Sequence, residues 1–183
     1  MNTKRMLAAV LVAVIAIAGG LAAGHWFRGA PPVGHADDAA PAAVGPVDQL
    51  WSAAVTDADG KPASLAAFKG QKIVVNFWAS WCGPCVEEMP ELVALSHEYG
   101  KKNIRFVGIG VDSAQNVKNF LQKLKVDYPI FVSGYAGADL ARNFGNMAGA
   151  LQFTVVIDEN GKVRETKLGQ IQPDELKKTL DAL

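Results

Sequence analysis

The apolar run Ile73-Val74-Val75-Asn76-Phe77-Trp78 leads directly into Trp81-Cys82-Gly83-Pro84-Cys85, and a long stretch of helix-forming composition follows. A short, nearly continuous apolar run predicts a central strand covered on both faces, so the cysteines fall where a strand ends and a helix begins. They are the only two in the chain. At a helix start the unpaired N–H groups of the first turn and the positive end of the dipole favour a thiolate over a thiol. That makes Cys82 a nucleophile. Cys85 lies one turn further along, close enough to close a small disulfide ring, and the pair can cycle between dithiol and disulfide with little movement of the fold.

Two other uses of paired cysteines fit less well. An inert staple of this size removes little unfolded-chain entropy, because loop-closure stabilisation grows with loop length. A structural zinc site needs four nitrogen or sulfur donors, and beyond the amino-terminal segment the chain offers a single histidine, His97. No metal is expected, and no cofactor other than the redox-active Cys82–Cys85 pair itself.

The amino terminus reads Lys4-Arg5, then an uncharged and mostly apolar segment from Met6 to Gly24, then His25-Trp26-Phe27-Arg28. Its length approaches the roughly 20 residues of a membrane-crossing helix and exceeds the roughly 7 to 15 of a signal-peptide core. Residues 1–28 are therefore expected to be a retained signal anchor, a single transmembrane helix with Lys4 and Arg5 on the cytoplasmic side. Cleavage is the alternative, with small residues at Ala22-Ala23-Gly24 and Gly34-His35-Ala36. Either route delivers the rest of the chain to an oxidising space, where disulfides persist: the periplasm of a bacterial inner-membrane protein, or a soluble periplasmic form after cleavage. Residues 29–46 are rich in Ala, Pro and Gly and lack any helical or strand period, which predicts a flexible tether. Residues 47–183 have the length of one domain with a full core. Eighteen basic and eighteen acidic residues balance; the basic ones are scattered, so no footprint for nucleic acid appears.

Periodicity outlines an α/β domain. An amino-terminal strand is expected near Leu50 to Val55, followed by an Asp59-Gly60 turn. Beyond the central strand come a helix from Glu87 to Tyr99, a buried strand from Ile104 to Val111, and a helix from Ala114 to Leu124 with apolar residues at helical spacing. Strand, helix, strand, helix implies a parallel unit with right-handed crossovers. A short strand at Ile130 to Val132 and a short helix near Asp139 to Phe144 come next. Strands Phe153 to Ile157 and Val163 to Lys167 are joined by Asp158-Glu159-Asn160-Gly161, whose Asn-Gly pair signals a hairpin and hence antiparallel strands at one edge. Pro173 opens a final helix.

The run Val74-Val75-Asn76-Phe77-Trp78-Ala79-Ser80-Trp81-Cys82-Gly83-Pro84-Cys85, with Glu88-Met89-Pro90 behind it, resembles the membrane-tethered thioredoxin-like proteins of the TlpA/ResA type. The likeness extends through Gly108-Ile109-Gly110-Val111-Asp112, Asp127-Tyr128-Pro129 and Thr154-Val155-Val156-Ile157-Asp158. It implies a thioredoxin fold, a mixed central sheet flanked by helices with an amino-terminal strand extension. It also implies thiol–disulfide oxidoreductase activity and a reductive role outside the cytoplasm, often on haem- or copper-binding apoproteins, as in cytochrome c maturation. The partners would be disulfides of exported proteins and, to re-reduce the enzyme, a membrane thiol electron donor of the DsbD/CcdA kind. The Gly83-Pro84 dipeptide matches that of reducing thioredoxins, whose potential lies near about −270 mV.

Carried over, Cys82 resembles the attacking cysteine and Cys85 the resolving one. Cytoplasmic thioredoxins place a buried aspartate and a lysine near the resolving thiol; here Asn76 and Gly108 stand at those places, so that charge pair is absent. The family places a glutamate where Glu88 stands, three residues after Cys85 and on the same side of the helix. Glu88 is either the acid/base for Cys85, its pKa raised by burial against Trp78 and Trp81, or a solvated helix glutamate like its neighbour Glu87. Trp78 belongs to the core, and Trp81 forms an apolar wall for docking partners, beside Gly83 and Pro84. Pro90 is expected to bend the helix.

One departure stands out. The fold places a cis-proline facing the active-site loop, two residues before a threonine like Thr154; here Leu151-Gln152-Phe153-Thr154 puts Gln152 there. A cis bond before a residue other than proline costs about 2.5–4 kcal/mol. The Leu151–Gln152 bond is therefore expected to be trans and the loop rearranged, unless the surrounding fold enforces cis. A trans bond would unsettle the docking edge formed by Leu151 and Gln152, and an amide there would admit water or a metal that proline's ring excludes. Three readings of function remain open: a reductase of exported disulfides, a thiol oxidase, and a tethered binding module with a vestigial disulfide. A peroxidase of the peroxiredoxin class shares the fold, but its Thr-x-x-Cys setting is lacking.

Overall fold

The computed structural model describes residues 44–183. The expected anchor, 1–28, and all but the last three residues of the expected tether, 29–46, lie outside the described residues. Among the described residues no helix is long and apolar enough to cross a membrane.

The chain runs through α1 (Pro46–Trp51), β1 (Val55–Thr56), β2 (Pro62–Ala63), a 3-10 turn at Ala66–Phe68, β3 (Lys72–Trp78), α2 (Gly83–Gly100), β4 (Ile104–Gly110), α3 (Ala114–Leu121), β5 (Ile130–Val132), α4 (Ala136–Asn143), β6 (Phe153–Ile157), β7 (Val163–Leu168) and α5 (Pro173–Asp181). One mixed sheet of seven strands holds them in the order β2-β1-β5-β4-β3-β6-β7. Strand β3 lies parallel to β4, and β4 to β5; the pairs β3–β6, β6–β7, β1–β5 and β1–β2 are antiparallel. The central position expected for the Ile73–Trp78 run is the observed one.

Burial explains why β3 is an interior strand, between β4 and β6. Ile73, Val75 and Phe77 point into one apolar cluster with Leu50, Ile109, Leu140 and Val155. On the opposite face Val74 joins a cluster with Leu92, Leu95 and Val156, and Trp78 joins one with Cys82, Cys85 and Met89. Ile73, Val74, Val75 and Phe77 are fully buried, and each such side chain contributes about 1.5–3 kcal/mol. A charge at Val75 would forfeit that and leave an unpaired ion in the core. The buried polar residue on this strand's second face is Asn76, between Val74 and Trp78.

The amino-terminal expectation needs correction. Pro46–Trp51 is a helix, and strand begins only at Val55. Val47, Leu50 and Trp51 recur at helical spacing and turn together onto the core, with Leu50 and Trp51 buried; proline at the first helical position fixes a compatible φ. The strand extension is therefore the short β1–β2 pair, added to β5. Helix α2 likewise starts at Gly83 rather than Glu87, because Cys82 caps it and Pro84 suits its first turn. It continues through Pro90; that residue is exposed, where water can serve the carbonyl its ring leaves free. The Asn-Gly hairpin forms as expected: Asp158 Oδ1 accepts from the N–H groups of Asn160 and Lys162, both at 2.9 Å, and Gly161 takes a φ of 75°.

Gly108, in the place of the thioredoxin lysine, sits where little room is left for a side chain. A Cβ there would lie 2.5 Å from Ile130 Cδ1 and 3.1 Å from Trp78 Nε1.

Candidate active site

Strand β3 ends at Trp78, and the connection to α2 delivers the cysteines to the carboxyl edge of the sheet. Cys82 is the N-cap of α2, its Sγ accepting from the Cys85 N–H at 3.3 Å. The two are joined as a disulfide, with Cα atoms 5.3 Å apart. Cys82 keeps 8 % of its surface exposed and Cys85 1 %. The order matches the expectation of an outer and an inner sulfur, but the outer one is more enclosed than a helix start alone implies, because Leu151 packs on the cluster that contains it. Trp81 is 67 % exposed, an apolar surface beside the disulfide, and Gly83 and Pro84 are exposed with it.

Asp112 steadies the approach to this turn. Its carboxylate accepts from Ser80 N at 3.1 Å, Ser80 Oγ at 2.6 Å, Ser113 N at 2.7 Å and Asn116 Nδ2 at 2.8 Å. Burial alone would push its pKa up, but the hydrogen bonds from Ser80, Asn116 and Ser113 outweigh it and hold the carboxyl below its usual range. The end of β4 is thereby tied to the loop that precedes Cys82.

Glu88, one helical turn after Cys85, is 2 % exposed, whereas Glu87 is exposed. Its Oε1 accepts from Asn76 Nδ2 at 3.2 Å and its Oε2 from the Ile171 N–H at 3.1 Å. Burial raises its pKa, and the bonds from Ile171 and Asn76 offset the rise only in part. Trp81 turns outward and takes no part in the burial expected of it, while Asn76 and Ile171 hold the carboxylate. Asn76 Nδ2 also donates to Thr154 Oγ1 at 3.1 Å; sheet register sets Thr154, Asn76 and Gly108 side by side on β6, β3 and β4. Tyr128 belongs to the same region: burial, and secondarily the charge of Glu88, raise its hydroxyl's pKa. Asn76 Oδ1, Trp78 Nε1 and Tyr128 Oη are buried without a hydrogen-bond partner among the described residues. A buried carboxylate with two N–H donors, one helical turn from an inner sulfur, can take up or give a proton without leaving the core.

The Leu151–Gln152 bond is cis, which corrects the expected trans bond and rearranged loop. Contacts on both sides hold the segment in place. Asn146 Nδ2 donates to Ala150 O at 2.7 Å and Asn146 Oδ1 accepts from Ala150 N at 3.3 Å. Gln152 O accepts from Gly169 N at 2.9 Å, and Gln152 Nε2 donates to Pro84 O. Gln152 is 4 % exposed, so its amide turns inward onto the cysteine turn.

Sequence reasoning placed Cys82, Cys85 and Glu88 together, and the fold brings Leu151 and Gln152 to the same turn. It missed Ile171 as a donor to Glu88 and Asn76 as its partner; Asn76 could have been found as the polar residue in a fully buried strand. Among the described residues no group of three or more His, Cys, Asp or Glu side chains could hold a metal ion.

Comparison with known proteins finds relatives of this chain. The Redoxin family model matches residues 35–183. The thiol-disulfide oxidoreductase ResA of Bacillus thuringiensis subsp. konkukian is 31 % identical over 127 residues, covering 69 % of this chain and 71 % of that protein. A thioredoxin-related protein from Neisseria meningitidis serogroup B superimposes with a TM-score of 0.62 at 33 % identity, over 70 % of this chain and 96 % of that one. The exposed lipoprotein thioredoxin of Streptococcus pneumoniae gives a TM-score of 0.58 at 25 % identity, over 71 % of this chain and 98 % of its own.

Proposed function

The chain belongs to the Redoxin family and is a thiol-disulfide oxidoreductase of the thioredoxin-like kind, and from that premise we propose that it reduces disulfides in exported proteins, with Cys82 attacking, Cys85 resolving and Glu88 acting as the acid/base for Cys85. In the reduced enzyme the Cys82 thiolate attacks one sulfur of a substrate disulfide. A mixed disulfide forms and the other substrate sulfur leaves as a thiolate. Glu88 takes the proton of Cys85, whose sulfur then attacks Cys82 Sγ; the second substrate thiol departs and the Cys82–Cys85 disulfide remains. Two electrons have passed to the substrate. They are restored by a membrane thiol electron donor of the DsbD/CcdA kind, because an oxidising space supplies none.

The observation that carries this reading is the asymmetry of the pair: Cys82 caps the helix and keeps some contact with solvent, while Cys85 is closed in one turn from a buried carboxyl. Trp81, Gly83, Pro84, Leu151 and Gln152 form the docking edge for the substrate chain. Residues 1–28 as membrane anchor and 29–46 as tether complete the proposal, with the catalytic domain on the periplasmic side; Lys4-Arg5 ahead of the Met6–Gly24 segment supports that orientation. The resemblance to the TlpA/ResA type supports haem- or copper-binding apoproteins as substrates.

Trapping tests the roles. Cys85→Ser should accumulate mixed disulfides with exported proteins that a reducing agent releases, and Cys82→Ser should accumulate none; capture by both variants, or by neither, defeats the assignment. Equilibration with glutathione buffers tests the direction: a potential well below that of the glutathione couple is expected, and one above it makes the protein an oxidase.

A further inference from the structure

One peptide group, Pro84–Cys85, is hydrogen-bonded at both ends. Its N–H donates to Cys82 Sγ at 3.3 Å, and its carbonyl oxygen accepts from the side-chain amide of Gln152, which reaches across from the start of β6. The two bonds share a single conjugated amide. Charge drawn toward the oxygen by the Gln152 donor makes the N–H a stronger donor, and such chains reinforce each other most where the dielectric is low. Gln152 is 4 % exposed and Cys85 1 %, so the donor amide and the N–H are shielded from water although the Pro84 ring is exposed. A carbonyl oxygen has two lone pairs, so this bond does not compete with the ladder of α2. Proline in the same place has no side-chain donor at all.

We propose that Gln152 is a positioning residue for the thiol–disulfide reaction: through the Pro84–Cys85 peptide it strengthens the hydrogen bond to Cys82 and stabilises the Cys82 thiolate. This rests on Cys82 being the attacking sulfur. The acceptor sulfur is the one that becomes anionic when the pair is reduced, so the bond gains most in the reactive state. A chain of two bonds strengthens each by about 10–30 %. For an N–H bond to an anion this corresponds to roughly a 1.5- to 4-fold change in the acid dissociation constant of Cys82.

Thiolate absorbance at 240 nm, followed against pH in the Cys85→Ser background, reads Cys82 alone. Gln152→Met, similar in length and without a donor, should move the midpoint up by the corresponding few tenths of a pH unit. A residue that only held the loop in place would lower stability and leave the midpoint where it was. A midpoint that is low in the parent and unmoved in Gln152→Met overturns the role of Gln152 alone; a parent midpoint at the free-cysteine value overturns the assignment of Cys82 as well. If Gln152→Met does not fold, the reduced protein with Gln152 intact supplies the test: a through-hydrogen-bond NMR coupling between Gln152 Nε2 and the Pro84 carbonyl carbon is expected, and its absence overturns the proposal.

Discussion

Replacing Asn76 by leucine, close to it in shape, removes both hydrogen bonds that its Nδ2 makes, to Glu88 Oε1 at 3.2 Å and to Thr154 Oγ1 at 3.1 Å. The bond to an ionised carboxylate is worth about 1.5–3 kcal/mol and the neutral one about 0.5–1.5 kcal/mol, so the loss at neutral pH should be about 2–4.5 kcal/mol. The sign of its pH dependence follows from Glu88. Burial raises the folded-state pKa of Glu88 above its ordinary value; its contribution to stability is therefore full below the ordinary carboxylate range and is lost as pH rises through the raised value. Asn76 softens that loss by donating to the carboxylate. Once Glu88 is protonated the same contact is an ordinary neutral one, so Asn76→Leu should cost about 1–1.5 kcal/mol less at acid pH than at neutral pH. Urea unfolding of the parent and variant at several pH values measures both numbers. In a Glu88→Gln background the pH dependence of the Asn76→Leu cost should vanish. A cost that is the same at every pH would refute the claim that Asn76 serves a titrating Glu88.

Glu88→Gln itself should slow disulfide exchange and remove the limb of the rate–pH profile that reports proton transfer from Cys85; stopped-flow exchange with a model disulfide measures it, and an unchanged profile would remove Glu88 from the mechanism. Gly108→Ala should destabilise the fold by about 1–3 kcal/mol, because its Cβ would press at 3.1 Å on Nε1 of the fully buried Trp78 as well as on the more yielding Ile130 side chain; a neutral result in denaturant unfolding would mean that the Trp78 ring shifts at little cost. Trp81→Ala should leave stability within about 0.5 kcal/mol, as exposed side chains do, yet raise KM for protein disulfides while exchange with a small disulfide persists. Equal effects on both substrates would deny Trp81 a docking role.

The central strand, the cysteine turn and the β6–β7 hairpin were legible in the sequence because each rests on local chemistry: a continuous apolar run, a helix-starting Cys-Gly-Pro-Cys and an Asn-Gly pair. The amino-terminal helix was misread as strand because Leu50, Trp51 and Val55 are equally at home in either state, and only packing on the core decides. Glu88 was distinguishable from Glu87 by helical phase, three residues from Cys85, but its donors were not. Ile171 lies 83 residues away and contributes a backbone N–H, which carries no side-chain signal. The bond before Gln152 is expected from the sequence to be trans because a cis bond there is costly, and the contacts around it come from distant residues that carry no local signal. In the fold its neighbours Asn146, Gly169 and Pro84 hold it from both sides, and its amide has a partner.

The central claim is that the helix-capping sulfur is the acidic, attacking one and the inner sulfur resolves. Limited alkylation of the reduced protein with substoichiometric iodoacetamide at neutral pH, followed by peptide mass mapping, tests it directly. The label should fall on Cys82 almost alone; equal labelling, or labelling of Cys85 first, would contradict the account.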